Sequence, residues 1–231
     1  MEPTINIDQW MDEFSTKLKD AFGDRLKLVG IQGSRARGEA RPDSDIDAVV
    51  VIDRLSKEDL QRYKDIVALM PSSELACGFV GSTDVLAAWQ RYDAFNLVKD
   101  TRVHYGSFDF MNTHFTAEDA INSAKAVAAE IYHAMVHTVV FDEQNLGSIL
   151  DACIKPAFFA MRALRFADLG TFPATRAKMR ELATENETLF LDTYDGKVNM
   201  DTPEAIEKLA DRLIAWAADI ITLDATDHVL P

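Results

Sequence analysis

One segment limits the fold of this chain more than any other: Gly33-Ser34-Arg35-Ala36-Arg37-Gly38-Glu39-Ala40-Arg41-Pro42-Asp43-Ser44-Asp45-Ile46-Asp47. The run before it, Leu28-Val29-Gly30-Ile31, is apolar and too short for a helix, so it reads as a buried strand. The run after it, Ile46 to Ile52, is rich in β-branched residues and also reads as a buried strand. The segment is therefore a polar turn between two core strands, with acids at the mouth of the second. Side chains alternate along a strand, which puts Asp45 and Asp47 on one face and Ile46 on the other.

Each part of the segment has a chemical use. A glycine directly after a strand lets the backbone approach a phosphate closely, and the Ser34 hydroxyl adds a donor. Arg35, Arg37 and Arg41 supply guanidinium groups, which grip phosphate oxygens through paired donors. Ser44, in the turn that delivers Asp45, joins the expected nucleotide-binding set of Gly33, Ser34, Arg35 and Arg37. Two carboxylates facing one way repel unless a cation lies between them. Mg²⁺ suits that position, because it takes oxygen ligands from one or two carboxylates plus substrate phosphates. Two such ions would steady the entering and leaving oxygens of an in-line displacement. The plain alternative is a capped turn at Asp43-Ser44-Asp45 with arginines solvating a loop. The glycine–serine pair upstream and the strands on both sides weigh against it.

The rest of the chain alternates strand and helix, then turns wholly helical. Trp10, Met11, Phe14, Leu18, Ala21 and Phe22 have helical spacing, with Gly23 at the exit. Ser56-Lys57-Glu58-Asp59 reads as a capping box opening a helix that Pro71 stops. Leu75 to Val80 is a third strand candidate, Ser82 to about Lys99 a helix, and Val103 to Phe110 a fourth strand candidate. Thr116-Ala117-Glu118-Asp119 opens a long helix ending near Phe141. Further helices are expected over Leu146 to Leu169, kinked or divided at Pro156, over Ala174 to Thr184, and over Glu204 to Leu223. The expectation is an α+β chain: a small mixed sheet flanked by helices over residues 1–112, then an α-helical bundle over 113–231.

At this point the residues resemble a known family. Gly33-Ser34, the arginines and Asp45-Ile46-Asp47 are similar to the signature of the DNA polymerase β-type nucleotidyltransferase superfamily, and to its small bacterial branch of minimal and antibiotic nucleotidyltransferases. The resemblance is strong over residues 26–52 and extends to about residue 110. It implies Mg²⁺-dependent transfer of a nucleoside monophosphate from a nucleoside triphosphate such as ATP, with release of pyrophosphate. The acceptor it implies is a small hydroxyl-bearing molecule, for instance an antibiotic. It also implies a third carboxylate on a neighbouring strand, as metal ligand or base. Glu74, at the edge of the third strand candidate, is the first choice and Asp100 the second. Related enzymes are often dimers, which leaves a homodimer open.

Charge and composition set further bounds. Lys and Arg total 24 against 38 Asp and Glu, a formal net charge of −14. That field argues against stable binding of nucleic acid, while a small phosphate ligand carried with a divalent cation is compatible with it. Two cysteines give neither a disulfide framework nor a metal spacing, and Cys77, among apolar neighbours, reads as a buried inert thiol. The absence of a long apolar run or a basic, apolar leader points to a cytoplasmic protein without a membrane span. His133 and His137 stand one helical turn apart. They read as interhelical hydrogen-bonding residues or, second, as groups touching nucleotide or acceptor. Lys155 either meets a phosphate or snorkels from an apolar stretch. Met161 to Arg165 reads as a bundle surface, and Trp89, Tyr92 and Phe95 as core. The competing function is a nucleotide-binding regulatory or antitoxin-like module with a protein or RNA partner. The presence of both Asp45 and Asp47 lowers that reading.

Overall fold

The structure, a computed structural model, describes residues 5–224. The chain divides into two compact units: one takes in the chain up to Gln90 and Leu97–His114, the other Arg91–Asn96 and the chain from Phe115 onward.

The first unit is built on a four-stranded mixed sheet in the order β3-β2-β1-β4. Helix α1, Ile7–Phe22, is capped by the Asn6 side chain at its start and by Gly23 at its end. Its stripe of Trp10, Met11, Phe14, Leu18 and Phe22 is buried, the outcome of apolar residues recurring every three or four positions. β1, Leu26–Ile31, and β2, Ile46–Ile52, lie at the centre and pair antiparallel, with Val29 opposite Val50 and Ile31 opposite Ala48. Helix α3, Lys57–Ala68, opens on the Ser56/Asp59 capping box and carries the chain to β3, Ala76–Ser82, which pairs parallel to β2. β4, Arg102–Gly106, closes the other edge against β1. Because the central strands are covered on both faces, they are apolar almost throughout. Ile46, Ala48, Val50 and Ile52 pack with α1 and α3, and Val49 and Val51 pack with Leu28, Leu86 and Phe108.

The local differences from the sequence reading have physical causes. The turn after β1 contains a short helix, α2, Gly33–Arg37, ended by Gly38 in the left-handed region. It buries no periodic apolar stripe, so nothing in the pattern announces it. The single helix expected from Ser82 to Lys99 is two: α4, Thr83–Ala88, and α5, Arg91–Asp100, separated where Trp89 and Gln90 become extended. β4 ends at Gly106, whose φ of 71° departs from strand geometry. Cys77 is exposed on edge strand β3, not buried.

The second unit is helical: α6 Ala117–Phe141, α7 Leu146–Leu169, α8 Arg176–Arg180, α9 Glu185–Tyr194 and α10 Pro203–Thr222. Its core joins Ala124, Ala128 and Met135 of α6 to Leu150, Ala157 and Phe158 of α7 and to Leu213 and Ala217 of α10. α7 runs through Pro156 undivided. One lost backbone bond is outweighed by the burial on both sides of it. Helix α9 is not announced by apolar spacing, although its capping box, Thr184 with Glu187, stands in the sequence. Arg162 is buried at 1% exposure rather than on the bundle surface. Its Nε donates to the Pro173 carbonyl at 2.7 Å and its guanidinium lies 4.0 Å from the Phe172 ring centre.

Candidate active site

The turn and the acids form one local structure. Gln32 leaves β1 and donates its backbone N–H to the Asp47 carbonyl at 2.8 Å. Its side-chain amide donates to the Leu97 carbonyl and the Thr101 hydroxyl, which fastens the start of the turn to the end of α5. Gly33 follows with φ at +70°. A Cβ here would come within 2.0 Å of Asp47 Oδ2. Glycine is therefore required twice over, for its backbone angle and for the carboxylate seated against it. The α2 backbone begins at that contact, with the Ser34 carbonyl accepting from Glu39 N–H at 2.8 Å.

Asp45 stands in the loop just before β2 and is exposed; Asp47 is the second residue of β2 and is half-buried. Ile46 between them is fully buried in the core with α1. Alternation puts the Asp47 side chain on the sheet face opposite Ile46, and Asp45 stands two residues earlier, at the end of the loop that enters the strand. The turn before Asp45 is closed by Ser44, whose hydroxyl accepts from Arg41 N–H at 2.9 Å and whose own N–H donates to the Arg41 carbonyl at 3.1 Å. Arg41 itself is exposed.

Two arginines expected at the phosphates have protein partners. Arg35 is buried, and its guanidinium donates to the carbonyls of Pro42, Ser44 and Asp45. It therefore clamps the loop that carries Asp45. Arg37, with only 4% of its side chain exposed, pairs with Glu39 at 3.0 Å and with Asp100 at 3.2 Å. A buried guanidinium is tolerated where its donors are satisfied in this way.

The two candidates for a third carboxylate are placed very differently. Asp100 Oδ2 accepts from the Gly33 N–H at 3.4 Å as well as from Arg37, so it braces the turn from below. Glu74 lies in a 3-10 turn, Ser73–Leu75, before β3 begins, and it is exposed. The residue of β3 in register with Asp47 is Cys77. Gln32 and Glu39 are parts of this site that sequence reasoning missed. Gln32 binds Leu97 and Thr101, more than sixty positions away, and no local pattern reports such a link. His133, His137 and Lys155 lie on α6 and α7 of the helical unit; both histidines are exposed.

The donor chemistry of Asp45 and Asp47 fits Mg²⁺: two hard oxygen ligands two residues apart at the start of β2, one of them open to solvent. Among the described residues, no group of three or more His, Cys, Asp or Glu side chains could hold a metal ion. Two carboxylates are what a Mg²⁺ completed by substrate phosphates requires.

Residues 11–75 match the sequence profile of the nucleotidyltransferase domain family. The matched stretch, just over a quarter of the chain, contains the Gly33 turn, Asp45 and Asp47. Among curated proteins it is 43% identical over 58 residues to Putative protein adenylyltransferase MJ1305 of Methanocaldococcus jannaschii, a match covering 25% of this chain and 40% of that protein. The chain thus spans well under half of the curated relative it matches. Among solved structures, the fold is similar to that of spectinomycin adenyltransferase AAD(9) from Enterococcus faecialis, crystallised with ATP and spectinomycin. That likeness has a TM-score of 0.54 at 14% identity and covers 89% of this chain and 98% of the other. No helix among the described residues is long and apolar enough to cross a membrane.

Proposed function

We propose that the chain transfers a nucleoside monophosphate, AMP from ATP in the first instance, to a hydroxyl of a small acceptor, with release of pyrophosphate. One observation carries the reading: Asp47 is seated against Gly33, so the glycine turn and the acid pair cannot be placed independently. The named relatives support adenylyl as the group and, in the spectinomycin enzyme, a small molecule as acceptor.

In this reading the Gly33-Ser34 turn holds the triphosphate through the Ser34 N–H and hydroxyl, and exposed Arg41 is free to approach it. Mg²⁺ held by Asp45, Asp47 and phosphate oxygens would neutralise charge around the α-phosphorus. The acceptor oxygen forms a bond to that phosphorus, the bond to the β-phosphate oxygen breaks, pyrophosphate leaves and the acceptor proton is released. Arg35 positions Asp45, and Asp100 with Arg37 positions Gly33. Asp100 is then a bracing group, and Glu74 stands apart from the reaction.

The test is labelled ATP with Mg²⁺ and a panel of hydroxyl acceptors, read as pyrophosphate release. Asp47→Asn removes several kcal/mol of transition-state stabilisation, on the order of a hundredfold to a thousandfold in rate. Asp45→Asn behaves similarly, both with unchanged melting temperature. Glu74→Gln keeps its turnover, and Asp100→Asn loses turnover and melting temperature together. Full activity in Asp47→Asn, or no turnover of any nucleoside triphosphate, would overturn the proposal.

A further inference from the structure

The outer side of α6 carries chemistry that the nucleotidyltransferase reading does not use. The buried residues of this helix, among them Ala124, Ala128, Ile131 and Met135, mark one stripe. His133 and His137 fall on the opposite side and are both exposed, with ring centres 6.1 Å apart. Phe141 continues the row, its ring 5.1 Å from that of His137. It is 76% exposed and its neighbour Val140 is 61% exposed. Large apolar side chains left this open beside one another mark a contact surface.

Two imidazoles one turn apart on a helix are a pair of nitrogen donors for a borderline ion of the Zn²⁺ class, and side-chain rotation can bring both to one ion at the usual bond length of about 2.0–2.1 Å. A closed zinc site takes four ligands. No third His, Cys, Asp or Glu among the described residues completes one here, so one chain supplies half a tetrahedron. A two-fold axis beside α6 would bring the same pair from a second copy and make the set four. The charge of the chain points the same way. At −14, two copies repel each other, and a divalent cation at the contact offsets part of that repulsion. Val140 and Phe141, flanking the ion, would be covered in the same step.

We propose that His133 and His137 hold a Zn²⁺-class ion between two copies of this chain, paired through α6. The experiment is sedimentation velocity of the full chain in EDTA, in Mg²⁺, and with one Zn²⁺ per two chains. Zn²⁺ should convert monomer to dimer, Mg²⁺ should not, and EDTA should reverse the change. His133→Ala and His137→Ala should each weaken the Zn²⁺-dependent association at least tenfold, and Phe141→Asp should weaken it as well. All three positions are exposed, so melting temperature serves as the control for folding. An association state indifferent to Zn²⁺ and EDTA would overturn the proposal. So would one Zn²⁺ bound per chain without pairing, or pairing that survives in the double histidine variant.

Discussion

Arg35 in the sheet unit and Arg162 in the bundle are both buried, at 7% and 1% exposure, and each spends donors on backbone carbonyls. The physical device is the same: a desolvated guanidinium is stable only where its donors find acceptors, and in return it fixes a segment without regular structure. The segments differ. Arg35 holds Pro42, Ser44 and Asp45, and so sets where an acid of the proposed site stands. Arg162 holds Pro173, in the connection after α7, among the rings of Phe158 and Phe172. A buried cation is thus no sign of a site by itself; what it fastens decides its consequence.

The comparison breaks if the two arginines behave alike on substitution. Arg162→Ala leaves the Pro173 carbonyl unpaired and a void beside Phe172, at a cost of about 3 kcal/mol. Thermal or denaturant unfolding should show that loss, while turnover per folded molecule stays unchanged. Arg35→Ala should lose less stability, because part of its loop is exposed. Its pyrophosphate release should fall by about tenfold, from displacement of Asp45. Arg35→Lys should recover little, since one ammonium cannot reproduce the fork that reaches three carbonyls. Equal turnover in the two alanine variants would remove the distinction.

A smaller effect sharpens the contrast inside the sheet unit. Gly33→Ala forces a side chain into a left-handed angle, a cost of about 1 kcal/mol, and pushes the new Cβ into the Asp47 carboxylate. Its melting temperature should drop modestly while its turnover drops much more. Gly23→Ala is the control: the same sign of φ, with nothing within 4 Å of the new Cβ. It should show the stability loss alone.

What the sequence shows and hides follows from the range of the interactions. β1 and β2 rest on local apolar runs, and both strands stand where the sequence puts them, with Asp45 and Asp47 on either side of the first residue of β2. The starts of α3 and α6 rest on capping boxes three residues long and are equally legible. The orientation of Arg37 depends on Asp100, sixty-three positions away, and the burial of Arg162 on a loop that follows its helix. Neither has a local signal. Glu74 falls outside β3 because a 3-10 turn occupies the residues just before the strand, and an apolar run alone does not mark where pairing starts.

The other end of β2 offers the mildest test, because there the charged cluster bears no site residue. Arg25 lies just before β1 and donates to Asp53 at 2.9 Å, just after β2, and to both oxygens of Asp59 on α3 at 2.9 Å. The Arg25 hydrogen bonds, followed by the Ser56 N–H of the capping box, hold the Asp59 carboxyl well below its ordinary value of 3.8. A depressed folded-state pKa means the unfolded chain takes up the proton first. The stability this supplies is complete above about pH 4–5 and is lost as pH falls through the lowered value of Asp59. Melting temperature of the unmodified chain should therefore fall across that window. In Asp59→Asn the amide has no proton to gain, so the curve should start lower at neutral pH and descend less steeply in acid. Turnover at neutral pH should be unchanged, since the cluster and the acid pair lie at opposite ends of one strand. Parallel curves for the two proteins would show that acid sensitivity lies elsewhere. A loss of turnover in Asp59→Asn would show that the two ends of β2 are coupled, and the separation between bracing and chemistry drawn from the two arginines would fail within a single strand.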